Sequence, residues 1–367
     1  MTATIEVKKL LSLLKIADKL TKKSSIPVLE HLYINNGSGW ATNLSNWIQI
    51  VDMFPTNENT VVNIKQFITL LTGIKQKEAN IEIKDRVLYV ITDKNTFNIN
   101  PEFNNDEFPV NVTKMPITPV QVLLHKDDIK QLVTASSFVG KDAFREQLHN
   151  VLLSKEIVAT DAQRLFWEKS NIQNIDSIGY YDWNGKFINY LLIQKQTIDI
   201  LKNHDVVRMT CDIAQKSVEN DAAEHILFEF EEFNYYQKII DNVYPDYRAV
   251  IPEKFECQFL VNRDQILHSI EEARYIWSKS EKKYIEIFCL NERVKIRFAD
   301  VNNNLEHNSY IDLYAKNSDI AFDISFNAAL LESCLELQDE PITLKYISPT
   351  HCMVINDNML IMPMLKY

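Results

Sequence analysis

Apolar positions along this chain switch repeatedly between two periods. Segments such as NIEIKDRVLYVITDKNTFNIN (80–100), AEHILFEF (223–230) and KKYIEIFCLNERVKIRFAD (282–300) alternate apolar with polar residues and are rich in β-branched and aromatic side chains, which predicts half-buried strands. Elsewhere a strand pattern runs directly into helical spacing, in two forms that each occur three times. ATIEVKKLLSLLKIA (3–17), VQVLLHKDDIKQLVTA (120–135) and CQFLVNRDQILHSIEEA (257–273) each set a basic residue three positions before an aliphatic one, as Lys8/Leu11, Lys126/Ile129 and Arg263/Ile266. VVNIKQFITLLTGI (61–74), LIQKQTIDILKNH (192–204) and FDISFNAALLESCLEL (322–337) make the second set, aligned on Val62, Ile193 and Phe322 at offsets of 131 and 129 residues. Solenoid repeats have periods of about 20–50 residues, so a period this long is a whole small domain. The chain reads as three copies of one domain.

Short polar turns such as Lys84-Asp85 and Asn291-Glu292 join neighbouring strands, which predicts antiparallel pairing rather than parallel crossovers. Each domain is therefore expected to be α+β, with two helices packed on antiparallel sheets. Proline-marked linkers divide the copies: DEFPVNVTKMPITP (106–119) after the first and VYPDYRAVIPEKF (243–255) after the second. Both carry an aromatic-Pro pair and another proline seven positions on, Phe108-Pro109 with Pro116 and Tyr244-Pro245 with Pro252. Proline fixes φ and removes a donor, which suits a stiff crossing between rigid bodies. The expected domains are residues 1–117, 118–252 and 253–367.

Composition is that of an ordinary globular chain of 367 residues, 46% hydrophobic. Nothing resembles a membrane span or a signal peptide, so the expectation is a cytoplasmic protein with no membrane partner. Five cysteines, no two closer than 18 residues, suggest neither a disulfide framework nor a zinc ribbon. The net charge of −11 argues against nucleic acid at first sight. Residues 1–23 nevertheless hold Lys8, Lys9, Lys15, Lys19, Lys22 and Lys23 against Glu6 and Asp18, a basic strip that either solvates an amphipathic helix or meets phosphates.

Catalytic chemistry finds no support. None of the six glycines sits in a phosphate-cradling arrangement, and the eight histidines form no metal-binding pair. Acidic clusters such as Glu229-Glu231-Glu232 read as solvated turns. The expectation is a non-enzyme without cofactor, metal or catalytic residue.

Four local motifs then make a resemblance specific. ATDAQRLFW (159–167) resembles the ATDGHRLA stretch of the bacterial DNA polymerase III β subunit family, the sliding clamps; SSFVGKDAFREQLHNVLL (136–153) resembles its SFA…RPVLTGV segment; VYPDYRAVIP resembles its YPDYRRVIP linker; and LIMPM matches its C-terminal [VL][IV]MPM. The resemblance runs end to end. It implies three DNA-clamp domains per chain, a homodimeric head-to-tail ring around duplex DNA, and a processivity role for the replicative polymerase. An interaction scaffold of the same fold that no longer encircles DNA is the alternative.

The resemblance also implies where the sites lie. A groove for QxxLF-like peptides of the polymerase, clamp loader and other partners would comprise Leu148, Thr160, Asp161, Arg164, Leu165, Pro245, Tyr247, Val250, Phe326, Leu360, Met362, Pro363 and Met364. Residues facing DNA would be Lys8, Lys9, Lys15, Lys22, Lys23, Lys126, Arg145 and Arg263. The dimer interface would set Phe97 and Ile99 against Ile276 and Trp277. Ala162-Gln163 replaces the family's Gly-His, Ala249 a basic residue and Leu365 an Arg, so the groove is expected to be less basic than usual; separately, Glu146 stands where many members carry a Pro or aromatic after Arg145, in a loop near the expected DNA contacts.

Overall fold

The computed structural model describes residues 2–22, 25–109, 119–142, 144–182, 186–213, 224–277, 284–290, 293–300, 304–318 and 320–364. The expected boundary at 117/118, with Pro116, lies outside the described residues, as do Lys23, Leu365 and the Asn291-Glu292 turn. The observed architecture is α+β with antiparallel sheets.

All six strand-to-helix junctions are present. Strand β1 (Ala3–Glu6) runs into α1 (Val7–Thr21), β9 (Pro119–His125) into α3 (Lys126–Ser136), and β19 (Cys257–Val261) into α5 (Arg263–Glu272). In the second set β5 (Thr60–Asn63) runs into α2 (Ile64–Gly73), β15 (Leu191–Gln194) into α4 (Lys195–Leu201), and β24 (Phe322–Asn327) into α7 (Ala328–Leu335). Asparagine closes three of these junctions as an N-cap: the side chains of Asn63, Asn262 and Asn327 accept from the backbone N–H of Gln66, Gln265 and Leu330. At β9 the Asp128 carboxylate reaches back to the N–H of His125 at 2.9 Å.

The chain forms two compact units. The first comprises residues 1–129 and 171–241. One of its sheets has the order β1, β6 (Glu78–Lys84), β7 (Val87–Ile91), β8 (Thr96–Ile99). The other runs β5, β2 (His31–Asn35), β3 (Ser38–Thr42), β4 (Trp47–Ile50), then β18 (Phe233–Lys238), β17 (His225–Glu229) and β16 (Val206–Ile213), which pairs with both β9 and β13 (Ile178–Tyr181); β14 (Phe187–Ile188) follows β13. The turn between β6 and β7 holds Asp85 at φ 53° and Arg86 at φ 68°. Two successive left-handed residues match the twist of a tight hairpin.

The second unit comprises residues 130–170 and 242–367. Here β10 (Asn150–Leu153), β11 (Glu156–Thr160) and β12 (Arg164–Lys169) continue into β27 (Met359–Ile361), β26 (Met353–Ile355), β25 (Ile342–Tyr346), β19 and β23 (Leu313–Lys316). A separate sheet has the order β22 (Leu305–Ile311), β21 (Arg293–Asp300), β20 (Tyr284–Leu290), β24. A short helix, α6 (Arg274–Trp277), follows α5.

The same sheet plan recurs. β1-β6-β7-β8, β9-β16-β17-β18 and β19-β25-β26-β27 are three ladders of one order, and β2-β3-β4, β10-β11-β12 and β20-β21-β22 are three antiparallel meanders. The last strand of the first meander pairs with the last strand of the second ladder, β4 with β18. The last strand of the second meander likewise pairs with that of the third ladder, β12 with β27. Both joints are antiparallel. The β4·β18 joint is backed by a cluster of Tyr33, Trp47, Val61, Phe108, Leu227 and Tyr236. Phe108 and Tyr244, the aromatics of the two proline-marked linkers, are 2% and 6% exposed, so each linker is pinned by a core side chain.

Candidate functional site

The residues expected to form a peptide groove all fall in the second unit, and the backbone brings them together there. The β11–β12 turn is built by Asp161, whose Oδ1 accepts from the N–H of Gln163 at 2.9 Å and of Arg164 at 2.7 Å. Thr160 Oγ1 donates to the Arg164 carbonyl at 2.6 Å and accepts from the N–H of Ala162, which sits at φ 68°. Leu165 lies opposite Leu360 in the β12·β27 ladder. Past β27, the N–H of Met362 donates to the Gln163 carbonyl at 2.8 Å and that of Met364 to the Ser325 carbonyl at 2.7 Å, which carries the tail from the turn to Phe326.

Burial sorts these side chains into a floor and a rim. Leu148, Leu165, Phe326 and Leu360 are buried, whereas Val250, Met362 and Met364 are 54%, 43% and 36% exposed. Pro245 is exposed and Pro363 half-buried. Val250, Met362 and Met364 are exposed flexible or branched apolar side chains of the kind that a docked aliphatic or aromatic anchor needs.

The linker is tied to β11. Tyr247 donates its hydroxyl hydrogen bond to the Glu156 carboxylate, and Arg248 Nη2 donates to the same oxygen at 2.8 Å. Burial pushes the Glu156 pKa up, but the hydrogen bonds from Tyr247 and Arg248 outweigh it and hold the carboxyl below its ordinary value. Burial and the hydrogen bond to Glu156 push the Tyr247 phenol up. Cys352 approaches the Val250 carbonyl at 3.8 Å. All five cysteines are buried thiols; burial pushes Cys334 up to about 12 and Cys352 up to about 11.

Arg164, expected at the groove surface, is only 7% exposed. Its Nε and Nη2 donate to Asp161 Oδ2 at 3.0 and 2.9 Å, Nη2 also reaches the Ser137 carbonyl at 3.0 Å, and the guanidinium lies 4.8 Å from the Phe138 ring centroid. It stiffens the β11–β12 turn and is not an open cation.

The basic positions divide into open and occupied ones. Lys8, Lys15 and Lys22 are exposed on or just after α1. Lys9 is paired with Glu232 at 3.0 Å, and Lys126 with Asp205 at 2.9 Å. Arg145 is exposed, 4.0 Å from Asp142. Arg263 departs from its expected exposure: its guanidinium binds Asp264 and the Gln338 carbonyl, and its side chain is 21% exposed. Sequence reasoning missed a further group. Lys195 and Lys202, on and just after α4, line a cavity of about 740 Å³ in the first unit together with Lys19, Lys22 and His204. Their spacing of seven was the available signal, since it puts both on one helical face.

At the expected interface, Phe97 on β8 is 39% exposed, but Ile99 is 3% and Ile276 1% exposed. Ile276 thus belongs to the core of the second unit, because α6 turns it inward while Tyr275 faces out at 54%. The Trp277 side chain lies outside the described residues. On β22 the exposed aromatic is Tyr310, 62% exposed and 5.9 Å from Arg293. Among the described residues no three His, Cys, Asp or Glu side chains are placed to hold a metal ion, and no helix is long and apolar enough to cross a membrane.

Comparison with known proteins places this architecture. No protein-family model matches the sequence. A β sliding clamp of Helicobacter pylori is 22% identical over 223 residues, covering 57% of this chain and 54% of that protein, so the matched stretch spans about half the length of that relative. A β sliding clamp of Buchnera aphidicola is 22% identical over 343 residues, 88% of this chain and 87% of the other. In structure, the DNA polymerase sliding clamp of Bacillus subtilis superposes with a TM-score of 0.82 at 17% identity, and the Helicobacter pylori β clamp bound to a DNA ligase peptide with 0.77 at 17% identity; both match over 100% of each chain. The chain has the sliding-clamp fold over its whole length and resembles β sliding clamps in sequence.

Proposed function

We propose that this protein is a DNA sliding clamp: a non-catalytic subunit whose two copies close head to tail around duplex DNA and tether polymerase and other partners through the peptide groove. Three modules, divided near residues 117 and 252, make up each copy. The relatives named β sliding clamp support the reading, and the repeated joint carries it. The last strand of a meander pairs with the last strand of the next ladder at β4·β18 and at β12·β27. The meander ending in β22 and the ladder beginning the chain, ending in β8, are left over, each at the end of its sheet. Open edges invite pairing. Joining β22 of one copy to β8 of another applies the same rule a third time, and doing it twice closes a two-fold ring.

On this reading DNA is held by enclosure. Few phosphate contacts are needed, and Lys9 and Lys126, already paired with carboxylates, fit a surface that does not grip. The groove supports partner binding, as does the ligase peptide carried by the Helicobacter pylori neighbour.

The test is direct. The protein should sediment as a dimer at micromolar concentration, and once loaded should remain on nicked circular DNA but slide off the same DNA after linearisation. Monomers at that concentration, or equal loss from circle and line, would refute the ring.

A further inference from the structure

Both arginines beside the groove are answered by carboxylates of the same chain. Arg164 is buried against Asp161 at 2.9 Å, and Arg248 is held by Glu156 at 2.8 Å in a cluster that also takes the Tyr247 hydroxyl. Asp246 adds another carboxylate beside this cluster, where its Oδ1 accepts from the N–H of Arg248 at 3.2 Å. Position 249, between Arg248 and the rim residue Val250, is Ala and contributes no charge. The loop leading to Leu148 is also balanced, Lys141 and Arg145 against Asp142 and Glu146.

A carboxylate approaching the Arg248 guanidinium must also approach Glu156, whose charge is maintained by the same hydrogen bonds. Attraction and repulsion then nearly cancel, and what remains is screened beyond about 8 Å at physiological salt. Apolar contact with Val250, Met362 and Met364 is not subject to that cancellation.

We propose that the groove selects an uncharged partner segment anchored by bulky apolar side chains, and gains nothing from acidic residues between the anchors. This rests on the groove reading above. Rim charges govern salt dependence, whereas buried apolar anchors govern dissociation.

Two blocked fluorescent peptides test it by anisotropy, Gln-Ala-Ala-Leu-Phe and Gln-Asp-Asp-Leu-Phe. The two Kd values should agree within about threefold, and that of the neutral peptide should change by less than about twofold between 50 and 300 mM NaCl. Glu156→Gln releases the Arg248 charge and should favour the acidic peptide by about fivefold at 50 mM salt, a gain that Arg248→Gln in the same chain removes. Circular dichroism of each variant checks that it is folded, and the wild-type comparison stands without them. A wild-type preference of about tenfold or more for the acidic peptide, fading with salt, overturns this inference and leaves the groove standing. Failure of both peptides to bind refutes the groove itself and the inference with it.

Discussion

Arg164 and Asp161, three positions apart across one hairpin turn, are joined by two hydrogen bonds of 3.0 and 2.9 Å, and the arginine is 7% exposed. The same carboxylate caps two backbone N–H groups of the turn. Removing it strands a buried cation and opens the turn at once. Asp161→Ala should therefore destabilise the second unit by about 3 kcal/mol, read as a lower midpoint in urea, whereas Asp161→Asn, which can keep the turn, should cost less.

Ala162 next to it occupies φ 68°, where a Cβ is strained. Left-handed backbone costs a non-glycine residue about 1–2 kcal/mol, and part of the relief is returned as extra freedom of the unfolded chain. Ala162→Gly should raise stability by about 0.5–1 kcal/mol in the same titration, with peptide affinity unchanged. A lower midpoint would mean that the Ala methyl makes a packing contact worth more than the strain.

Much of this arrangement was written in local pattern. The six strand-to-helix junctions were legible because each is a change of period, and three carry an asparagine that caps the helix it starts. The segments assigned to the proposed groove stood out through motifs: the turn at 161–164, the linker at 244–250 and the tail at 360–364. Pairings set by tertiary geometry were not. Lys9 meets Glu232 and Lys126 meets Asp205 across long stretches of chain, and no spacing rule connects them. The resemblance set Ile276 at the dimer interface, yet a four-residue helix turns it into the core. Lys195 and Lys202 became interesting only once α4 was seen to share a cavity with Lys19 and Lys22.

The rim should be separable from the floor. Met362 and Val250 are exposed, so a charge there costs little folding energy but sits where the proposed groove would seat an apolar anchor. Met362→Glu and Val250→Asp should each weaken binding of a Leu-Phe peptide at least about tenfold, equivalent to about 1.4 kcal/mol, with thermal midpoints nearly unchanged. Leu165→Ala, by contrast, empties a buried site and should cost about 2–5 kcal/mol of stability.

Two histidines give the first unit an acid limit. Burial lowers the pKa of His204 against the raising pull of Glu232 and Asp205, and burial likewise lowers His225, with Glu224 pulling up and Lys238 down. In the unfolded chain both titrate near 6.5. Between that value and their lower folded values the unfolded state binds more protons, so stability is full above about pH 6.5 and falls as the solution is acidified. Hydrogen exchange of peptides from β17 and β18 should quicken from pH 7 to 5.5 after correction for the intrinsic rate, and His225→Gln should reduce that change. Exchange that stays constant over this range would contradict the assignment.

If the protein encircles DNA as proposed, phosphate contact in the first unit should fall on the lysines that α1 and α4 bring to one cavity. Lys19, Lys22 and Lys195 border one cavity, and Lys202 joins them although it lies 3.3 Å from Asp199. Each phosphate neutralised contributes about 0.9 to the slope of log affinity against log salt. Lys19→Glu with Lys22→Glu should therefore lower the salt slope of duplex binding by about 2, whereas Lys9→Gln and Lys126→Gln, whose charges Glu232 and Asp205 already balance, should change it by well under 1. Fluorescence anisotropy with a labelled duplex across a NaCl series gives the slopes. The opposite order, with the paired lysines carrying the slope, would mean that DNA displaces the carboxylates and that the contact surface runs along the start of α1 and α3 and not through the cavity beside α4.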